Sequence, residues 1–312
     1  MKTNRVRRLL TLSASVLGIA LLASGCTAAQ AGQGTAEPAA AYTVTDAMGE
    51  VEFAETPQRV VALDSPAIDA LIALGVTPVG ASEIREGAGF PGYLADELTG
   101  TESVGTIMEP NLEAIAELDP DLILGSKVRH EEVYDQLSAI APTVFAADSG
   151  TNWTEQATLT AAAVDRAEQM DTLLDDLSSR ASAVGAEVGA KGMTASMVRF
   201  RTESFRLYGP GTFSGSILTD MGFDLGDRDW NEYSMMELSP ERYELIDGDV
   251  VFHTGAGADA EATTQSTVTE LWGGQPAVAA GKVFPVADDT WMVGIGVIGG
   301  NLIVDDVQAA LG

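Results

Sequence analysis

The sequence predicts an α/β protein of two lobes, each with a mostly parallel sheet flanked by helices, joined by one long α-helix. Three observations predict it. Short apolar runs alternate with helix-patterned runs from Tyr42 to residue 146, the stretch from Trp153 to Gly189 contains no Pro, and the alternation resumes after Met193. Such alternation builds parallel sheets, because each strand needs a crossover helix to bring the chain back to the same end of the sheet. A chain of 312 residues also has room for roughly two domains. The division reads as 1–25 signal peptide, 26–41 flexible tether, 42–152 N-terminal lobe, 153–190 linker helix and 191–312 C-terminal lobe.

The first segment is not part of the fold. Lys2, Arg5, Arg7 and Arg8 precede the apolar run LLTLSASVLGIALLA, which is the layout of an export signal. The run is short for a membrane span, which takes about 20 apolar residues. Cys26, the only cysteine, directly follows Leu22-Ala23-Ser24-Gly25, a pattern that resembles a bacterial lipobox, where cleavage precedes a lipidated cysteine; Ala23 stands where that pattern most often has Leu. With no second cysteine there is no disulfide framework. The following TAAQAGQGTAEPAAA is small, polar and aperiodic, so it reads as a tether. The expectation is an extracytoplasmic body anchored to the cell membrane by lipidated Cys26.

From Tyr42, YTVTDAMGEVEF alternates and turns like a small hairpin, and QRVVALDS reads as a buried strand. PAIDALIALGV has an apolar helix face at Ile68, Leu71, Ile72 and Leu74 and stops at Gly75 in the manner of a C-cap. TPVGAS, DLILGS and PTVFAA read as strands, LEAIAELDP and EEVYDQLSAIA as helices. The Pro-free stretch is rich in Ala, Leu, Met, Glu and Gln and reads as one long helix, with a bend allowed for. Beyond it come strands MTASMVRF, FRLY, DVVFHT and KVFPVA, and helices SGSILTDMG, SPERYELI, STVTELWGG and IGGNLIVDDVQAAL.

The charge balance excludes whole classes of function. The chain has 17 Lys+Arg against 46 Asp+Glu, and removing residues 1–25 takes four bases and no acid, so the net charge of −29 falls to −33. That rules against nucleic acid and against broad adhesion to anionic lipid. Against such a background SKVRHEEVYDQL, which gathers Lys127, Arg129 and His130, is a basic knot built on purpose. Enzymes find little support: there is no Gly-Lys-Ser/Thr phosphate loop or nucleophile elbow, and His130 and His253 are too few for an ordinary triad or zinc site.

Three stretches carry a resemblance. RVVALDSPAIDALIALGVTPVGAS, VGTIMEPNLEAIAELDPDLILGSKVRHEEVYDQLSAIAPTV and MVRFRTESFRLYGPGTFSGSILTDMGF resemble the iron-siderophore substrate-binding lipoproteins of bacterial ABC importers, from about Tyr42 to the end of the chain. The resemblance implies a ligand cleft between the lobes, a ferric siderophore as ligand with hydroxamate or citrate-hydroxamate types favoured, and no cofactor. It also implies an ABC permease as partner, attachment to the membrane through the N-terminal lipid, a monomeric body, and iron bound through the siderophore rather than by the protein. Haem and cobalamin carriers share this fold and form the alternative.

A chelate dense in oxygen acceptors calls for fixed cations, N–H donors and flat apolar walls, and the planar fork of Arg suits it. Arg129, with Lys127 second to it, follows DLILGS at a strand's carboxyl end, where open α/β sheets bind ligands, with a helix expected to begin near His130-Glu131. The same residues also fit a solvated helix start with Arg129 paired to a surface acid. In the second lobe Arg199 shares a strand face with Met197, opposite Val198 and Phe200, and Arg206 and Tyr208 share a face of the next strand; Arg201 is a bystander. A basic rim balanced by acids is the plainer reading of that group. Trp291, Trp230 and Tyr233 are candidate walls, with Phe90 and Tyr93 as counterparts in the first lobe. The resemblance also implies that Glu113 and Glu241, one per lobe, meet the permease, although both positions suit plain helix-dipole capping.

Overall fold

The computed structural model describes residues 41–256 and 262–312. The signal peptide, Cys26 and nearly all of the tether lie outside the described residues. A hairpin opens the fold, β1 (Tyr42–Thr45) antiparallel to β2 (Glu50–Phe53). Asp46 ties its turn together by accepting from the Met48 and Gly49 N–H groups, and its second oxygen accepts from Phe145 N–H, which docks the hairpin on the first lobe.

The first lobe holds β3 (Val60–Ala62), α1 (Ser65–Ala73), β4 (Gly80–Glu83), β5 (Glu102–Thr106), α2 (Leu112–Glu117), β6 (Leu122–Ser126), α3 (Lys127–His130), α4 (Tyr134–Ser138) and β7 (Thr143–Ala146). Its sheet is parallel throughout, in the order β5-β4-β3-β6-β7. Asp64 caps α1 and Pro66 occupies its first turn, where a missing N–H is harmless. Gly75, at φ 72°, ends that helix in the left-handed conformation expected of it. The expected helix over EEVYDQLSAIA is instead α3, a 3₁₀ turn at Glu131–Val133, and α4. The helix after DLILGS therefore starts at Lys127, not near His130-Glu131.

The stretch expected as one linker helix is two. α5 (Trp153–Ala163) and α6 (Ala167–Glu187) are separated by a break at which Asp165 takes φ 55°. A single left-handed residue turns the helix axis, and Asp tolerates that conformation better than most side chains.

The second lobe contains β8 (Ala195–Phe200), β9 (Phe205–Tyr208), α7 (Phe213–Asp220), β10 (Met235–Leu238), β11 (Val250–Gly255), α8 (Gln265–Leu271), α9 (Pro276–Ala279), β12 (Val283–Pro285) and α10 (Val297–Leu311). Its sheet runs β10-β9-β8-β11-β12 and is mixed: β8, β11 and β12 are parallel, whereas β9 and β10 pair antiparallel. The expected helix over SPERYELI is a 3₁₀ helix, Pro240–Leu245.

Strand alternation sorts the cores. Val60, Ala62, Leu122 and Leu124 of one sheet, and Ala195, Met197, Val250 and Phe252 of the other, face a single cluster that also takes in Ile68, Leu71, Leu177, Ile217 and Ile303 of α1, α6, α7 and α10. The alternate residues face separate outer clusters, around Val61, Leu63 and Ile123 in one lobe and Val198, Phe200 and Val251 in the other. Met197 is thus itself core, and Arg199 points the same way from the strand's carboxyl end. The lobes share one apolar body, with each fully buried Leu, Ile or Phe contributing about 1.5–3 kcal/mol.

Asp69 bolts the lobes at the base of that body. Buried on α1, it accepts from the N–H groups of Ile298 and Gly299 at the start of α10 and from the Tyr93 hydroxyl, at 2.9–3.0 Å. Burial pushes its pKa up to about 6 against the pull of those donors, and burial beside Asp69 drives the Tyr93 phenol well above its ordinary value. Gly296 admits this approach, since a Cβ there would lie 2.3 Å from the Asp69 carboxyl.

Candidate functional site

A cavity of about 170 Å³ lies between the lobes, lined by Arg129 and Ser149–Thr151 on one side and by Tyr208, Thr212, Tyr233 and Met292 among others on the other. Four residues expected at the site meet there: Arg129, Tyr208, Tyr233 and Trp291. Larger cavities lie between the hairpin and α5, about 680 Å³, and beside Arg228 and Asp247, about 580 Å³. Neither is lined by any of the expected arginines, so size alone does not mark the site.

Arg129 leans on Asp64, its Nη1 donating at 2.5 Å to Oδ1, while Ser126 Oγ donates to the other oxygen at 2.8 Å. Asp64 is nearly buried and Arg129 is 27 % exposed, so the acid is structural and the guanidinium reaches the cleft. The partner is this buried acid, not Glu131 or Glu132. Lys127 is 41 % exposed and sits 3.6 Å from Glu131, an ordinary surface pair one helical turn apart. His130 is buried: its Nδ1 accepts from Ser126 N–H, so its Nε2 donates to Ile107 O at 2.8 Å. Burial lowers its pKa, and with both nitrogens engaged it offers nothing to a ligand.

In the second lobe the register places Arg199 opposite Arg206, and Arg206 opposite Glu237. Arg199 donates from Nε and Nη2 to the two oxygens of Asp288, each at 2.7 Å. Burial weighs against its charge, but Asp288 and Tyr208 outweigh it and hold the pKa above the ordinary value. Arg206 donates to Glu237 Oε2 from Nε and Nη2, and Arg201 lies 3.6 Å from the same carboxylate. Neither Arg199 nor Arg206 lines the cavity; they flank it beyond Tyr208 on the same sheet face.

The aromatic candidates divide. Tyr233 is 46 % exposed in the cavity wall. Trp291 is fully buried, stacked on Phe252 at 5.1 Å and donating to Asp306 Oδ2, so it forms a floor rather than an open wall. Trp230 does not line the cavity: it packs on Gly209, donates to Gly226 O, and lies under Arg228. Phe90 and Tyr93 pack on the shared core. Glu113 and Glu241 are exposed in the first turns of α2 and the 3₁₀ helix. Burial-free hydrogen bonds from its own backbone N–H and from Ser239 lower the Glu241 pKa.

The sequence reading missed Ser149–Thr151, Thr212 and the two acids, Asp64 and Asp288. Thr212 carries the legible signal, a hydroxyl N-cap on Gly215 N–H just after a Gly-Pro turn. The acids carry none, being two among 46. Among the described residues no group of three or more His, Cys, Asp or Glu is placed to hold a metal ion.

Comparison with known proteins agrees with this architecture. A periplasmic binding protein family profile matches residues 60–290. The probable siderophore-binding lipoprotein YfiY of Bacillus subtilis strain 168 is 37% identical over 280 residues, covering 85% of this chain and 86% of that protein. The Fe(3+)-citrate-binding protein YfmC of the same organism is 30% identical, with 91% of each chain covered. Among solved structures, Staphylococcus aureus SirA complexed with staphyloferrin B is 32% identical, superposes with a TM-score of 0.76, and covers 86% of this chain and 98% of that one. A two-lobed body with its cavity between the lobes, matched over most of its length, establishes that the chain belongs to the periplasmic binding protein family, a family of substrate-binding proteins rather than enzymes.

Proposed function

We propose that this protein captures a ferric siderophore in the inter-lobe cleft and hands it to an ABC permease without changing it. The observation that supports the reading is an inter-lobe cavity lined by Arg129, with Arg199 and Arg206 flanking it on the strand face that carries Tyr208, each arginine held by an acid along part of its guanidinium, in a chain with 17 bases to 46 acids. Each guanidinium has five N–H donors and gives two or fewer to its acid, so an edge is left for chelate oxygens. Arg129 approaches from the first lobe and Arg199 and Arg206 from the second, while Tyr208 and Tyr233 supply aromatic surface. Lys127 adds charge at the rim. Trp291 supports the wall from beneath.

The cavity is smaller than the roughly 300–1,000 Å³ typical of small-molecule pockets, so the ligand enters by displacing cleft loops. Hydroxamate or citrate-hydroxamate chelates fit a site of directed N–H donors, and the ferric-citrate relative supports the citrate side of that choice. Anchoring by lipidated Cys26 and docking on the permease through Glu113 and Glu241 complete the reading, with lobe boundaries at residues 152 and 191 and a monomeric body.

Haem or cobalamin is the second reading. With His130 engaged on both nitrogens, an axial ligand would fall to Tyr208 or Tyr233. The test separates Arg199→Ala from wild type in a titration with ferric citrate and a ferric hydroxamate. Loss of affinity above tenfold for one of them is expected, and unchanged affinity for both contradicts the assignment.

A further inference from the structure

Among the described residues, the Asp288 side chain hydrogen-bonds only to Arg199. It stands just before a single π-helical turn, Asp289–Val293, yet its side chain makes no capping hydrogen bond there. Both of its oxygens go to Arg199, which is two strands away, because β11 lies between β8 and β12. The two side chains are 23% and 16% exposed, so the pair is a largely desolvated clamp rather than a surface contact. The contrast with the first lobe is informative. Asp64 likewise holds Arg129, but it also caps α1 and accepts from Ser126, so its removal would unsettle the lobe itself.

We propose that Asp288 is a positioning residue for ligand capture: it fixes the Arg199 guanidinium by its Nε/Nη2 edge, leaving the Nη1 end pre-oriented toward the cleft. The proposal rests on the reading of Arg199 as a ligand contact. Its physical basis is that a long side chain ordered before binding loses no rotamer freedom on binding. The opposing effect has the opposite sign. A carboxylate near an anionic chelate repels it, so if charge alone governed, removing Asp288 would tighten binding.

The test is a double-mutant cycle on the full mature chain with ferric citrate as probe, beside the Arg199 Nε–H resonance of the ligand-free protein and thermal melting of every variant. Asp288→Ala is expected to weaken ferric citrate at least fivefold, Arg199→Ala at least tenfold, and the double variant to match Arg199→Ala within twofold. The Nε–H resonance is expected to be sharp in wild type and lost in Asp288→Ala. Equal or tighter binding by Asp288→Ala, with Arg199→Ala still weak, overturns the positioning role alone. An Arg199→Ala variant that binds as wild type overturns the ligand contact on which it rests. If wild type does not bind ferric citrate, the citrate reading fails and the resonance still decides the clamp: persistence in Asp288→Ala refutes it.

Discussion

Asp69 and His253 are both buried, and their perturbations run in opposite directions. Burial pushes the His253 pKa down to about 4, among Phe200 and Trp272, so acidification protonates the unfolded chain first and stability is lost as pH falls from about 6.5 toward 4. The Asp69 pKa is raised to about 6, so its protonated form favours the fold below about 4 and that contribution fades as pH rises through about 6. Between those limits the two slopes offset each other. Asp69→Asn removes one of them, and its unfolding free energy should then fall by up to about 1.4 kcal/mol per pH unit between pH 6 and 5 in urea titrations. A flat profile would count against the His253 assignment. Arg129→Ala should cost about 1–3 kcal/mol as well as affinity, because breaking a buried pair leaves Asp64 unpaired and the 27% exposure of Arg129 moderates the loss. Melting curves would register it. The arginines were legible in the sequence because bases are scarce; their partner acids were not, because pairing Asp64 with Arg129 across 65 positions is a product of the fold.

Central strands could be read from the chain, whereas of the four edge strands only β7 and β12 were. β3, β6, β8 and β11 are buried on both faces and each carries a short apolar core, VVA, LIL, MV and VVF. β5 (ESVGT) and β10 (MMEL) lie at sheet edges, half exposed, and carry no such run, which is why neither was anticipated. The chain allowed for a bend in the linker helix but did not locate it, because Asp165 in a helix-compatible context signals nothing until its φ is known. Gly185 on α6 is informative in turn. A Cβ there would lie 1.8 Å from Met221 O, a backbone atom at the end of α7 that no rotamer change can move. Gly185→Ala gains up to about 1 kcal/mol of helix propensity, yet overpacking of this kind costs about 1–3 kcal/mol or more. The variant should melt below wild type; a higher melting temperature would show that α6 and α7 can part freely.

The two lobes share one core through α1, α6, α7 and α10, and Asp69 ties α1 to α10 across it. Large closure would have to tear that core, so adaptation to ligand falls to the segments around Ser149–Thr151, Tyr233 and Met292. Small-angle scattering should give the same radius of gyration with and without a bound ferric chelate. The paired variant Glu113→Ala with Glu241→Ala should bind the chelate normally and fail to support uptake in cells, since both side chains lie exposed and outside the cleft. The most direct measurement is a parallel titration of the mature protein with ferric citrate, a ferric hydroxamate, haem and cobalamin, followed by tryptophan fluorescence and visible absorption. The account predicts saturable quenching by a ferric chelate that Arg129→Ala and Arg199→Ala each weaken; saturation by haem alone, with a shifted Soret band, would contradict it.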